Sequence, residues 1–138
     1  MSGPILQNAS TPADVHRHAM DEGRLTYQAC ACGHAWLPPR TECPSCLDST
    51  WVWKVAVGRA RLVSWVVYFV AYDEAFKNKL PYNVAIVELE EGPRLISNID
   101  GCPDGTGLVV DMPLTLTMVR EGTTPLARFA PAQSRSPR

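Results

Sequence analysis

Four cysteines, Cys30, Cys32, Cys43 and Cys46, fall within 17 residues of one another in the run YQACACGHAWLPPRTECPSC. Thiols this dense either pair as disulfides or gather around a metal ion. The segment ahead of them, MSGPILQNASTPADVHRHAMDEGR, has no apolar core flanked by positive charge, so no secretory signal is expected. A reducing, cytoplasmic setting follows, and it favours metal over disulfide. Two cysteine pairs separated by a short loop can close a tetrahedral thiolate shell around one zinc ion, with no coordination position left for catalysis. The spacing therefore predicts a structural zinc ribbon with Cys30, Cys32, Cys43 and Cys46 as ligands. A ribbon that has lost its metal and a redox or iron site remain as alternatives.

The rest of the chain must fold around this small module. A length of 138 residues suits one compact unit with an appendage, or two small modules, and leaves little room for a full catalytic cleft. Hydrophobic content of 46% and charged content of 20% are those of an ordinary globular protein. The longest apolar run, LVSWVVYFVAY, is interrupted by Ser64 and falls short of the roughly 18 to 20 residues a membrane-spanning helix needs. A formal net charge of −1 carries no basic excess to track phosphates, so nucleic acid is a poor partner.

Local patterns divide the chain into four parts. In residues 1–23 a loose leader precedes TPADVHRHAMDEG, where a Thr11 cap, Pro12 and Asp14 predict a short helix ending near Gly23. Residues 24–50 form the ribbon, with Gly33 and Pro44 suited to its tight turns. Residues 51–130 read as strands. In WVWKVAV, Trp51, Trp53, Val55 and Val57 alternate as one covered face. In the run from Arg61 to Ala71, Val63, Trp65, Val67 and Phe69 alternate with Leu62, Val66, Tyr68 and Val70, so both faces are apolar and both demand cover. NVAIVELEEGPRLISNI predicts a hairpin across Glu90–Pro93, and PLTLTMVREGTTPLARF another about Glu121–Thr124. About five short strands without intervening helices predict a small closed or partly open barrel, most often an OB-fold. Residues 131–138, rich in Pro, Ser and Arg, are expected to be a disordered tail.

No catalytic set emerges. Cys102, in GCPDGTG, is the one isolated thiol, but no histidine follows it in the chain, and it reads as a loop cysteine. Neither a GxGxxG turn nor a lysine-bearing phosphate loop is present. His16 and His18 stand two apart on the expected helix, point to different sides, and are expected in solvent. His34 beside the first knuckle is a turn histidine or a substitute ligand for Cys30. Trp36, Trp51, Trp53 and Trp65 are expected to cement the ribbon to the barrel and to face a partner.

The order of these pieces, Cys32 and Gly33, Pro38-Pro39-Arg40, the Cys43–Cys46 knuckle, Gly58, the two-faced strand, PYNVAIVELEEGPRL and DMPLTLTM, resembles the DUF35 family of zinc-ribbon OB-fold proteins over residues 10 to 130. The resemblance implies a mainly β chain: an N-terminal helix, a rubredoxin-like zinc ribbon and a C-terminal OB-fold barrel. It further implies a non-catalytic accessory subunit bound to a thiolase-fold enzyme that acts on acyl-CoA. Three departures are local, one of them Ala60, which stands where the family commonly has a second glycine after Gly58. The first knuckle is CxCG where the family has CxxCG, leaving a tighter loop with fewer amides for sulfur, and Asp111 stands where the family has glycine.

On that reading Arg40, Arg59 and Arg61 are the candidate contacts to the phosphates of coenzyme A. Trp65, Val67 and Phe69, on the strand from Leu62 to Ala71, are the candidate partner surface together with the insertion 72–82. A zinc-ribbon OB-fold module that binds nucleic acid is the alternative. It needs exposed aromatics interleaved with basic residues, and this strand supplies the aromatics but only Arg61.

Overall fold

The computed structural model describes residues 11–69 and 80–132. Helix α1 (Pro12–Asp21) starts as the sequence predicts. Thr11 Oγ1 accepts the Asp14 amide at 3.1 Å, and Asp14 Oδ2 accepts the Thr11 amide at 3.3 Å, so each end of this capping box satisfies an otherwise orphaned donor. It ends where Gly23 adopts φ +85°, letting the Arg24 amide turn back to the Ala19 carbonyl at 2.9 Å.

Eight strands follow: β1 (Thr26–Ala29), β2 (Ala35–Trp36), β3 (Val52–Val55), β4 (Arg59–Tyr68), β5 (Tyr82–Leu89), β6 (Arg94–Ser97), β7 (Pro113–Glu121) and β8 (Thr124–Pro131). They form two antiparallel sheets. The ribbon sheet has the order β2-β1-β3, and the barrel sheet β6-β5-β4-β7-β8. Both expected hairpins are present, β5 to β6 across Glu90–Pro93 and β7 to β8 about Gly122, whose φ is +62°. The first and last strands of the barrel sheet approach at one end through a parallel bridge, Ile99 to Phe129, giving a nearly closed OB-like barrel. Leu62, Val87, Leu89, Leu114 and Phe129 fill it, and Leu25 and Tyr27 carry the same core under the ribbon.

Two strands depart from simple alternation. β3 pairs with β1 in register Tyr27 to Lys54 and so belongs to the ribbon sheet, not to the barrel. The expected covered face is absent: Val55 and Val57 are exposed, while Trp51 and Trp53 are half-buried. The tryptophans instead cover one another, Trp51 meeting Trp36 at 6.4 Å and Trp53 at 5.6 Å in edge-on contacts. In β4 the register against β5 slips between Leu62 and Ser64, a β-bulge that leaves Val63 without a partner. One extra residue inverts every later side chain, so Leu62, in the core, shares its side with Trp65 and Val67, while Val66 and Tyr68 turn outward. The expected grouping of Leu62 with Val66 and Tyr68 is corrected accordingly. Pro131, placed in the tail by sequence, is the last residue of β8 and faces Leu114. Residues 133–138, the leader 1–10, and Val70, Ala71 and most of the 72–82 insertion lie outside the described residues.

Candidate metal centre and contact surfaces

Three short elements bring the four cysteines together. Cys30 follows β1, its amide bound by the His34 carbonyl at 2.9 Å, so the strand turns sharply into β2 through Gly33 at φ +100°. The second knuckle is a loop whose Cys43 amide bonds to the Asp48 carbonyl and whose Leu47 amide bonds back to the Cys43 carbonyl. That closure holds Leu47 at φ +67°, with its side chain exposed. Gln28, fully buried in β1, locks the intervening loop: its Nε2 donates to the Arg40 carbonyl at 2.6 Å and its Oε1 accepts the Arg40 amide at 2.7 Å.

All four Sγ atoms lie within 4.8 Å of one another, Cys30 to Cys46 at 3.5 Å and Cys32 to Cys43 at 3.7 Å. A tetrahedral ion with Zn–S bonds of about 2.3 Å requires sulfurs about 3.8 Å apart, so the cage has the dimensions of a thiolate zinc site. Cys30 and Cys43 are buried while Cys32 and Cys46 are exposed, leaving one side of the cage to solvent.

The two knuckles are electrostatically unequal. Cys43 Sγ accepts the amides of Ser45 and Cys46, each at 3.4 Å, and Cys46 accepts that of Asp48. In the shortened first knuckle the His34 amide reaches Cys32, whereas the Gly33 amide is taken by the Cys30 carbonyl. Desolvation raises the Cys43 thiol, but the Cys46 and Ser45 amides and the neighbouring thiols outweigh it and bring it down to about 7. Cys46, helped by the Asp48 amide but set against Cys30, burial and the other thiols, is pushed up to about 12. The two amides aimed at Cys43 thus favour the thiolate form of this sulfur.

His34 takes no part in the cage; its ring stacks on Trp36 at 5.7 Å. His18 is exposed and pairs with Glu22 at 3.3 Å. His16 is not solvated as the sequence suggested: it is half-buried beside Trp53, and burial lowers its pKa. Cys102 is half-buried in the loop after β6, where its carbonyl accepts Asn83 Nδ2 at 2.9 Å.

The candidate phosphate arginines differ. Arg59 pairs with Glu90, and Arg61 lies between Glu88 and Asp111, with Glu88 also held by Arg94 at 2.8 Å. The bond from Arg94, then the charge of Arg61, keeps the Glu88 carboxyl below its usual range, and Arg59 does the same for Glu90. Asp111 takes φ +70°, the left-handed region that a glycine enters freely, and its carboxylate accepts Arg61. Arg40 is exposed and forms no ion pair among the described residues. Of the candidate partner residues, Phe69 is 66% exposed. Trp65 and Val67 are half-buried beneath Gly105, where an added Cβ would meet Val67 Cγ2 at 2.9 Å. The exposed apolar surface at this end of β4 is thus Phe69, one of the sequence candidates, together with Val66 and Tyr68, which the bulge hid from the sequence pattern.

Known proteins share this arrangement. Residues 17–52 match a family described as "ChsH2, rubredoxin-like zinc ribbon domain", and residues 53–119 one described as "ChsH2, C-terminal OB-fold domain". A "DUF35 domain-containing scaffold protein" of Methanothermobacter thermautotrophicus is 37% identical over 108 residues, which are 76% of this chain and 80% of that protein. The chain belongs to the DUF35 family. A protein of Thermomonospora curvata described as "Probable enoyl-CoA hydratase alpha subunit" is 36% identical over 86% of this chain, a match that spans 37% of its own length. Among solved structures, a chain of "Ltp2-ChsH2(DUF35) aldolase" superposes with a TM-score of 0.75 at 31% identity, covering 89% of this chain and 97% of that one. The family boundary at residues 52 and 53 cuts β3, which the hydrogen bonds assign to the ribbon. Among the described residues no helix is long and apolar enough to cross a membrane.

Proposed function

We propose that this DUF35 protein is a non-catalytic accessory subunit that binds a thiolase-fold enzyme and helps it hold an acyl-CoA substrate, with a structural zinc ion in the cysteine cage. The carrying observation is the likeness along nearly the whole of a chain described as "Ltp2-ChsH2(DUF35) aldolase". The name "scaffold protein" borne by the methanogen relative supports the same role. Chemistry agrees. Among the described residues no histidine or carboxylate is hydrogen-bonded to Cys102, and a cage of four thiolates has no open position for a substrate.

The outward residues Val66, Tyr68 and Phe69 are proposed as the enzyme contact, with Trp65 and Val67 supporting them from beneath the Gly105 loop. Of the three candidate arginines, Arg40 has no ion pair among the described residues and can meet a coenzyme A phosphate, whereas Arg59 and Arg61 would first have to release Glu90, Glu88 and Asp111. The same pairing weighs against nucleic acid, because the cations on this sheet are already neutralised. The test is co-expression with a candidate thiolase-fold enzyme from the same genome, followed by size-exclusion chromatography. A stable complex is expected, and Phe69→Asp should weaken it about tenfold or more by placing an unpaired charge in the contact. A complex indifferent to Phe69→Asp would remove the contact assignment, and no complex at all would remove the function.

A further inference from the structure

The barrel is not fully closed. β6 and β8 are the two ends of its sheet. Their edges meet only where the Phe129 amide donates to the Asn98 carbonyl at 3.1 Å, the Asp100 amide donates to the Phe129 carbonyl at 2.7 Å, and Ser97 Oγ donates to the Ala127 carbonyl at 2.7 Å. Beyond that point, among the described residues, no backbone hydrogen bond joins the strands. The direction of the free groups follows from the ladder. The Pro93 carbonyl accepts Leu89 from β5 and the Asn98 carbonyl faces β8, so by the two-residue period Arg94 and Ile96 turn both amide and carbonyl into the gap. Phe129 faces the same gap, which places Ala127 and Pro125 there too.

A groove of about 740 Å³ lies along this seam, floored by Leu95, Ile96 and Leu126 and walled by Met20 of α1 and by Leu37 and Pro38 of the ribbon. Its two arginines are already spoken for, Arg94 by Glu88 and Arg128 by Asp100 and Glu121. An apolar lining with neutralised charges, beside a row of unpaired backbone donors and acceptors, fits one class of occupant: an extended, uncharged polypeptide that gives hydrogen bonds through its main chain and apolar side chains to the walls. A lipid or acyl chain would leave the Arg94 and Ile96 amides and carbonyls unmatched. We propose that the seam receives an extended apolar segment of the partner enzyme, added as a strand along the free edge of β6. The identity of the donor chain rests on the accessory-subunit reading; the strand-addition chemistry does not.

Amide hydrogen exchange, measured residue by residue on the isolated chain and on the co-purified complex, tests this. On complex formation the Arg94, Ile96 and Ala127 amides should slow by about tenfold or more, while the Leu95 and Ser97 amides, already bound to β5, stay unchanged. Ile96→Pro removes one seam-facing donor without touching the β5 ladder, and should weaken the complex about tenfold while leaving the isolated chain's unfolding temperature unchanged. If that variant misfolds, the exchange pattern of the unaltered complex still decides. A complex that forms with no slowing at 94, 96 and 127 overturns the seam and leaves the accessory role standing. So does slowing present in the isolated chain and abolished by removing residues 1–10, which would give the groove to the chain's own leader, or slowing produced by palmitoyl-CoA alone. Failure to form any complex overturns the accessory role and the named donor together.

Discussion

Cys43 has the most strongly held sulfur of the cage: it is wholly buried and takes two backbone amides, whereas Cys32 at the shortened knuckle is exposed and takes one. Metal ions bind thiolates, so metal loading expels whatever protons the cage still holds. With Cys43 near 7, its proton is present below neutrality and gone above it. The proton count released on zinc binding should therefore drop by about one as pH rises through 7, and zinc affinity should rise with pH throughout; calorimetry in buffers of differing ionisation enthalpy reads both. Cys43→Ala should weaken zinc by about 100-fold or more, measured by competition with a chromophoric chelator, because it removes a ligand and two amide anchors. Cys102→Ser, outside the cage, should leave zinc content unchanged and cost about 1 kcal/mol or less in thermal unfolding. The four cysteines were legible because metal geometry writes itself into spacing. Gln28 was not: nothing in a strand sequence says that a buried amide will clamp the backbone of Arg40, twelve residues away. Gln28→Leu strands the Arg40 amide and carbonyl, and should cost about 2 kcal/mol or more in chemical denaturation.

At the scale of elements, the hairpins and the helix cap follow from local chemistry and were readable in order. The face of β4 was not, since a bulge at Val63 depends on how β5 and β7 pair with it and leaves no composition signal. The consequence bears on the proposed contact: Trp65 and Val67, apolar and alternating, look like surface candidates but lie beneath Gly105, and Phe69 carries the exposed position. Gly105→Ala tests that packing. Its φ of +83° disfavours a side chain, and the new Cβ would press on Val67, so a loss of about 1–3 kcal/mol in thermal unfolding is expected. β3 misled in a different way. Alternating Trp and Val read as one buried stripe, yet Trp51 packs on Trp36 and Trp53 on Trp51 while Val55 and Val57 stay exposed, because β3 is an edge strand of a three-stranded ribbon sheet.

For the molecule as a whole, a four-cysteine ribbon and a nearly closed barrel share one core through Leu25 and Tyr27, so ribbon and barrel form a continuous body. The OB-like architecture followed from counting strands. The neutralisation of Arg59 and Arg61 did not, because Glu88, Glu90 and Asp111 converge on them only in the folded sheet. That pairing turns attention from phosphate capture toward protein contact, through Phe69 and the groove beside β6. The most direct test is native mass spectrometry of the chain co-expressed with a candidate thiolase-fold enzyme, with acyl-CoA turnover assayed on the complex and on each component. The expected result is a hetero-oligomer holding about one zinc ion per copy of this chain, with turnover in the complex and none from this chain alone. A zinc-free monomer that ignores the enzyme, or one that turns over acyl-CoA unaided, would contradict it.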